Sequence, residues 1–111
     1  MGYTLTVSET FAAAHFLPNY DGACGNMHGH TWQVEATWAY ADLQPDGMAE
    51  DFGALKQRLR AIMPDHRCLN EVYPWTPTAE NLARHFAEEL GADSVTVWES
   101  ETACVRYAAS D

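Results

Sequence analysis

Cations are scarce in this sequence: six lysines and arginines stand against sixteen aspartates and glutamates, a formal charge of -10. Nucleic acids and anionic membranes are bound through clustered cations, so neither is expected as a partner. Cysteine is also sparse, with only Cys24, Cys68 and Cys104. An odd set of three does not make a disulfide framework, which points to a reducing compartment, the cytoplasm. No apolar run approaches the length of a membrane span. The N-terminal residues lack a basic region followed by an apolar stretch, so no secretory signal is expected, and Gly2 alone makes no case for myristoylation. Internal repeats, low-complexity segments and linkers are absent. What is present is 111 residues, 47% of them apolar. That fits a single globular domain spanning residues 1–111.

The periodicities read strand, strand, helix, helix, strand, strand. Tyr3, Leu5 and Val7 alternate with polar residues, and Phe11, Ala13 and His15 continue the same face of a first strand. Residues 17–29 hold Pro18, Asn19, Asp21, Gly22, Gly25 and Asn26, a loop composition. A second strand runs from His28 to Tyr40, with Trp32, Val34, Ala36 and Trp38 on one face and His28 and His30 in the same parity. Pro45-Asp46-Gly47 is a turn. Phe52, Leu55, Leu59, Ile62 and Met63 recur at helical spacing, and Pro64 stops that helix. A second helix starts at Thr76-Pro77-Thr78, either threonine serving as N-cap, and ends at Gly91. The last strands cover roughly 94–101 and 104–108. This order predicts an α+β domain: a four-stranded antiparallel sheet with two helices on one face. The open edges of such a sheet are commonly covered by self-association.

His28-Gly29-His30 is the strongest chemical signal. Residues two apart on a strand point to one side, so both imidazoles can reach one ion. Gly29 between them leaves room for close approach to the backbone. His15, on the neighbouring strand, could supply a third nitrogen. Three imidazoles suit Zn2+ and leave a fourth position open, the arrangement of catalytic rather than structural sites. A bare His-x-His also fits two histidines that merely decorate a loop; the third histidine favours metal.

Cys24 lies four residues before His28. A cation beside a thiol favours the thiolate, which can act as base or nucleophile. A small apolar filler is the bland alternative for any free cysteine, and it is the reading adopted for Cys68 and Cys104. Asp65-His66 follows the helix-ending proline. An acidic neighbour can orient a histidine as a proton shuttle, although adjacency in sequence alone does not make the two side chains touch. Glu99 shares the parity of Val95 and Val97. It is either a carboxylate turned toward the interior, suited to the N–H edge of an amino-pyrimidinone, or an exposed edge charge.

Taken in order, these residues resemble the 6-pyruvoyltetrahydropterin synthase family, including its bacterial 6-carboxytetrahydropterin synthase branch. The resemblance spans nearly the whole chain. It rests on Phe11-x-Ala13-Ala14-His15-x-Leu17-Pro18, Cys24-x-x-x-His28-Gly29-His30 and Gly47-Met48-x-x-Asp51-Phe52-x-x-Leu55-Lys56. It continues through Asp65-His66-x-x-Leu69-Asn70, Pro77-Thr78-x-Glu80-Asn81-x-Ala83 and Val95-x-Val97-x-Glu99. Pro64, Cys68 and Ser100 stand where the family commonly has leucine, an aromatic residue and threonine.

The resemblance implies the tunnelling fold, in which subunits close their sheets into a barrel as a homohexamer, a dimer of trimers, with active sites at subunit interfaces. It implies Zn2+ held by His15, His28 and His30, with Cys24 as base and Asp65 and His66 as a proton relay. It implies Glu99, and Thr78 with it, as pterin contacts. The implied substrate is 7,8-dihydroneopterin triphosphate and the implied product 6-carboxytetrahydropterin, on the way to the deazapurine queuosine, or alternatively 6-pyruvoyltetrahydropterin. A zinc- and pterin-binding protein without turnover is the reading from another class. A triphosphate meeting so acidic a chain requires local cations, and Arg67, beside the relay, is the candidate.

Overall fold

The structure is a computed structural model that describes residues 2–109. Two long strands dominate it, β1 (Tyr3–His15) and β2 (His28–Tyr40). They pair antiparallel along their whole length, from Tyr3 opposite Tyr40 to His15 opposite His28. Strand β4 (Ser94–Ser100) runs antiparallel to β2, and β5 (Ala103–Ala108) antiparallel to β4. Period-two alternation survives in the burial. Val7, Phe11, Trp32, Val34, Ala36, Val95 and Val97 are buried. Thr4, Thr6, Ser8, Thr10, Thr31 and Gln33 between them are exposed.

Helix α1 (Phe52–Ala61) begins where the Asp51 carboxylate accepts the Gly53 N–H at 3.0 Å, the usual N-cap bond. Its Leu55 and Leu59 are fully buried. Helix α3 (Ala79–Leu90) buries Leu82, Phe86 and Leu90 and is capped by Thr78, whose hydroxyl accepts the Asn81 N–H at 3.1 Å. It closes at Gly91 with φ +60°, a left-handed conformation that glycine adopts without a Cβ penalty. Both helices bury their apolar stripes in one core with the strands. Arg58 ties the layers together: it donates to the Leu90 carbonyl and lies 5.5 Å over the Trp38 ring, and the Trp38 indole donates to the same carbonyl.

Two expectations need correction. The sheet has five strands and is mixed, in the order β3-β1-β2-β4-β5. Its extra member, β3 (Arg67–Cys68), pairs parallel with Ala13 and Ala14 of β1. A third helix follows at once, α2 (Leu69–Val72), so the chain order is ββαβααββ rather than ββααββ. The physical reason is length. A two-residue strand carries no alternation, and a single helical turn carries no stripe, so neither leaves a periodic trace. No helix among the described residues is long and apolar enough to cross a membrane.

Candidate metal and catalytic site

Full pairing of β1 with β2 places His15 opposite His28 and Ala13 opposite His30. The three histidines therefore converge at one end of the sheet, on the face that the helices cover. One ring nitrogen from each lies within 4.8 Å of the others, a set that could hold a metal ion. Backbone carbonyls orient two of the rings. His15 Nδ1 lies 2.8 Å from the Pro77 carbonyl, and His28 Nδ1 lies 2.7 Å from the Asn26 carbonyl. A carbonyl only accepts, so each Nδ1 carries the proton and each Nε2 keeps its lone pair, as a ligand requires. The Nε2 atoms of His15 and His30 are buried with no hydrogen-bond partner. Burial lowers the pKa of His30 against the pull of Glu99, and its neighbours His15 and His28 push in the same direction as burial. The neutral, ligand form is favoured. Two orphaned buried nitrogens within a set of three converging imidazoles are what a metal would satisfy, so the donor set fits one.

Glu99 leans toward this cluster, its two carboxylate oxygens 3.7 Å from His15 Nε2 and 4.0 Å from His30 Nε2. It also borders a cavity of about 170 Å³ lined by Ala79, Glu80 and Cys104. Thr78, expected beside the pterin, has its hydroxyl oxygen engaged in the α3 cap.

Asp65 and His66 do touch. Asp65 Oδ2 is 2.9 Å from His66 Nδ1, and Asp65 Oδ1 accepts the Ala12 N–H at 2.9 Å. The His66 N–H donates to the Ala12 carbonyl, and His66 adopts φ +58°. The dyad is thus clamped by both of its residues to the edge of β1, although both side chains are exposed. The Ala12 N–H bond, and then the His66 bond, hold the Asp65 carboxyl below its ordinary 3.8. Its contribution to folding is therefore present above that ordinary value and fades as pH falls through the lower one. A carboxyl-detected NMR titration is expected to place the Asp65 midpoint below 3.8, and Asp65→Asn to lower turnover about tenfold or more without releasing metal. A midpoint at or above the ordinary value contradicts the clamp.

An open cleft of about 550 Å³ at the β1–β2 end of the sheet is lined by Ala12, Ala14, Gly29, His30, His66 and Arg67. A Cβ on Gly29 would meet nothing nearer than the Ala13 carbonyl at 4.0 Å, so the space there is open to a ligand. Among the described residues, no hydrogen bond or ion pair joins the dyad to the three histidines. Cys24 lies apart from the cluster, exposed in a short 3-10 turn, Ala23–Gly25.

The pattern reaches beyond geometry. A model of the family described as 6-pyruvoyl tetrahydropterin synthase matches residues 4–110. The chain belongs to the 6-pyruvoyl tetrahydropterin synthase family. A putative 6-carboxy-5,6,7,8-tetrahydropterin synthase of Archaeoglobus fulgidus is 33% identical over 93 residues, 82% of this chain and 78% of that protein. The 6-carboxy-5,6,7,8-tetrahydropterin synthase of Synechocystis is 33% identical over 112 residues, covering 88% and 87%. Among solved structures, the 6-pyruvoyl tetrahydropterin synthase of Caenorhabditis elegans superposes with a TM-score of 0.86 at 25% identity, over 97% of this chain and 96% of that one.

Two supports of this family site were not singled out from sequence. Asn70 brackets Phe16, accepting its N–H at 3.0 Å and donating to its carbonyl at 2.9 Å, and so fixes the backbone just after His15. The Pro77 carbonyl orients His15 from a segment 62 residues away. Asn70 stood within a quoted motif; a carbonyl partner leaves no mark in sequence.

Proposed function

We propose that this chain is a zinc-dependent 6-carboxy-5,6,7,8-tetrahydropterin synthase. It converts 7,8-dihydroneopterin triphosphate and water to 6-carboxytetrahydropterin, acetaldehyde and triphosphate, in the cytoplasm and toward a deazapurine such as queuosine. The observation that carries this reading is the set of three converging histidines, two with buried Nε2 atoms lacking partners. The names of the relatives support the choice of branch.

His15, His28 and His30 would hold the ion, which when bound supplies Lewis acidity to the hydroxyls of the substrate side chain. Cys24 takes a side-chain proton as base. Asp65 orients His66, which passes protons at the cleft wall. The Glu99 carboxylate accepts hydrogen bonds from the N–H edge of the pterin. The edge of β5 and the part of β1 that the two-residue β3 leaves uncovered, with a polar second sheet face between them, support a barrel closed by neighbouring subunits in a dimer of trimers. Closure of that kind would bring one subunit's loop residues to the next subunit's histidines.

Arg67 lines the same cleft as His30 and His66. In so acidic a chain that position supports it as a cation for the triphosphate, beside the metal ion. Arg67→Ala is expected to raise KM for the triphosphate substrate about tenfold or more, with little effect on a dephosphorylated analogue. Equal effects on both would remove Arg67 from that role.

Mass spectrometry of the products from 7,8-dihydroneopterin triphosphate and zinc-loaded protein tests the assignment. Carboxytetrahydropterin with acetaldehyde supports it. Pyruvoyltetrahydropterin moves the chain to the activity named for the Caenorhabditis elegans neighbour. No product favours a pterin-binding protein without turnover.

A further inference from the structure

Glu99 is the extra residue at an irregularity of the β4–β5 ladder, where Trp98 pairs with Cys104 and Ser100 with Ala103. Such a bulge re-aims a side chain. Here it aims the carboxylate at two particular nitrogens, 3.7 Å and 4.0 Å away, and these are the two buried Nε2 atoms without hydrogen-bond partners. In a tetrahedral zinc site with bonds of about 2.0–2.1 Å, the fourth vertex lies roughly 3.3 Å from each ligand nitrogen. One Glu99 oxygen is 3.7 Å from His15 Nε2 and the other 4.0 Å from His30 Nε2, so a modest rotation of the side chain would bring one of them to that position. The Glu99 side chain is 37% exposed and borders the cavity of about 170 Å³ beside Cys104, so it has room to move.

We propose that in the substrate-free chain Glu99 supplies the fourth donor to the ion held by His15, His28 and His30. This rests on the metal reading given above. The same carboxylate cannot bind the ion and the pterin edge at once, so release of Glu99 from the ion is part of substrate binding. The site rests closed and opens when the pterin offers the carboxylate better partners.

Cobalt(II) alone serves as the probe, added to metal-free wild type, Glu99→Gln and His30→Ala. Competition with a chromophoric chelator gives Kd, and the visible d–d bands report the ligand set. Wild type is expected to bind one ion with intense tetrahedral bands. Glu99→Gln is expected to raise Kd at least about tenfold and to shift those bands. The near-isosteric change at a partly exposed position leaves the fold intact, which thermal melting checks. Unchanged Kd and bands in Glu99→Gln overturn the proposal. A raised Kd with unmoved bands overturns it too, because the carboxylate then acts only through its charge. A near-ultraviolet thiolate-to-cobalt band in wild type assigns the fourth position to Cys24 instead. If wild type binds no cobalt while His30→Ala behaves identically, the metal reading itself fails, and this inference with it.

Discussion

Replacing His30 by alanine is expected to abolish stoichiometric zinc binding and to lower kcat/KM at least about 10³-fold, roughly 4 kcal/mol of transition-state stabilisation. Two imidazoles do not make the three-ligand set of a catalytic zinc site, and among the described residues His15, His28 and His30 are the set grouped closely enough to hold an ion. The fold should not pay for the change. His30 Nε2 is buried without a partner, so its removal takes away an unsatisfied polar atom rather than a made bond. The metal-free variant is therefore expected to melt at or above the temperature of metal-free wild type. Adding zinc at about 100 times Kd should stabilise wild type by about 2.7 kcal/mol and leave the variant where it was. Melting curves with and without zinc, together with metal analysis after dialysis, read both effects. A His30→Ala protein that retains one zinc per chain would remove His30 from the ligand set and with it the reason for grouping the three histidines.

How far the site was legible in sequence follows from the kind of order each part has. Thirteen-residue strands with strict alternation declare their faces, and β1 and β2 were visible in full. Once their faces are known, His28 and His30 share a side, and antiparallel pairing brings His15 opposite. The core followed in the same way from Leu55, Leu59, Leu82 and Phe86 at helical spacing. Structure made by single contacts was not legible. The parallel pairing of Arg67 and Cys68 with β1, the bracketing of Phe16 by Asn70 and the Pro77 carbonyl on His15 each join segments more than fifty residues apart. None of them imposes a period on its neighbours. Asp65 and His66 fall between these cases. The residues were evident as a pair, but the bond between them depends on Ala12 of another strand, which grips both. The bulge that re-aims Glu99 likewise depends on its pairing with β5, which the parity of β4 alone does not reveal.

Cys24→Ala is expected to lower kcat about 10³-fold while zinc content stays at one per chain, the size of effect that loss of a general base produces. The local backbone argues that the residue is presented rather than buried. The Leu17 N–H donates to the Cys24 carbonyl at 2.8 Å, closing the loop between β1 and β2 around the main chain of the cysteine and leaving its side chain exposed. Gly25 is needed for that shape, since a Cβ there would collide with the Tyr20 carbonyl oxygen. The thiol is held on a defined turn, four residues before His28, and does not belong to the set of three close-packed histidines, which is why we assign it proton transfer rather than ligation. Alanine at position 24 leaves the Leu17 bond intact, because that bond uses the main chain, so the loop should keep its form and the loss should fall on kcat rather than on stability. The decisive comparison is metal content against turnover across the same preparations. Zinc retained with turnover lost makes Cys24 the base. Zinc lost in proportion to turnover makes it a ligand, which would also place the sulfur, and not Glu99, at the fourth position of the ion.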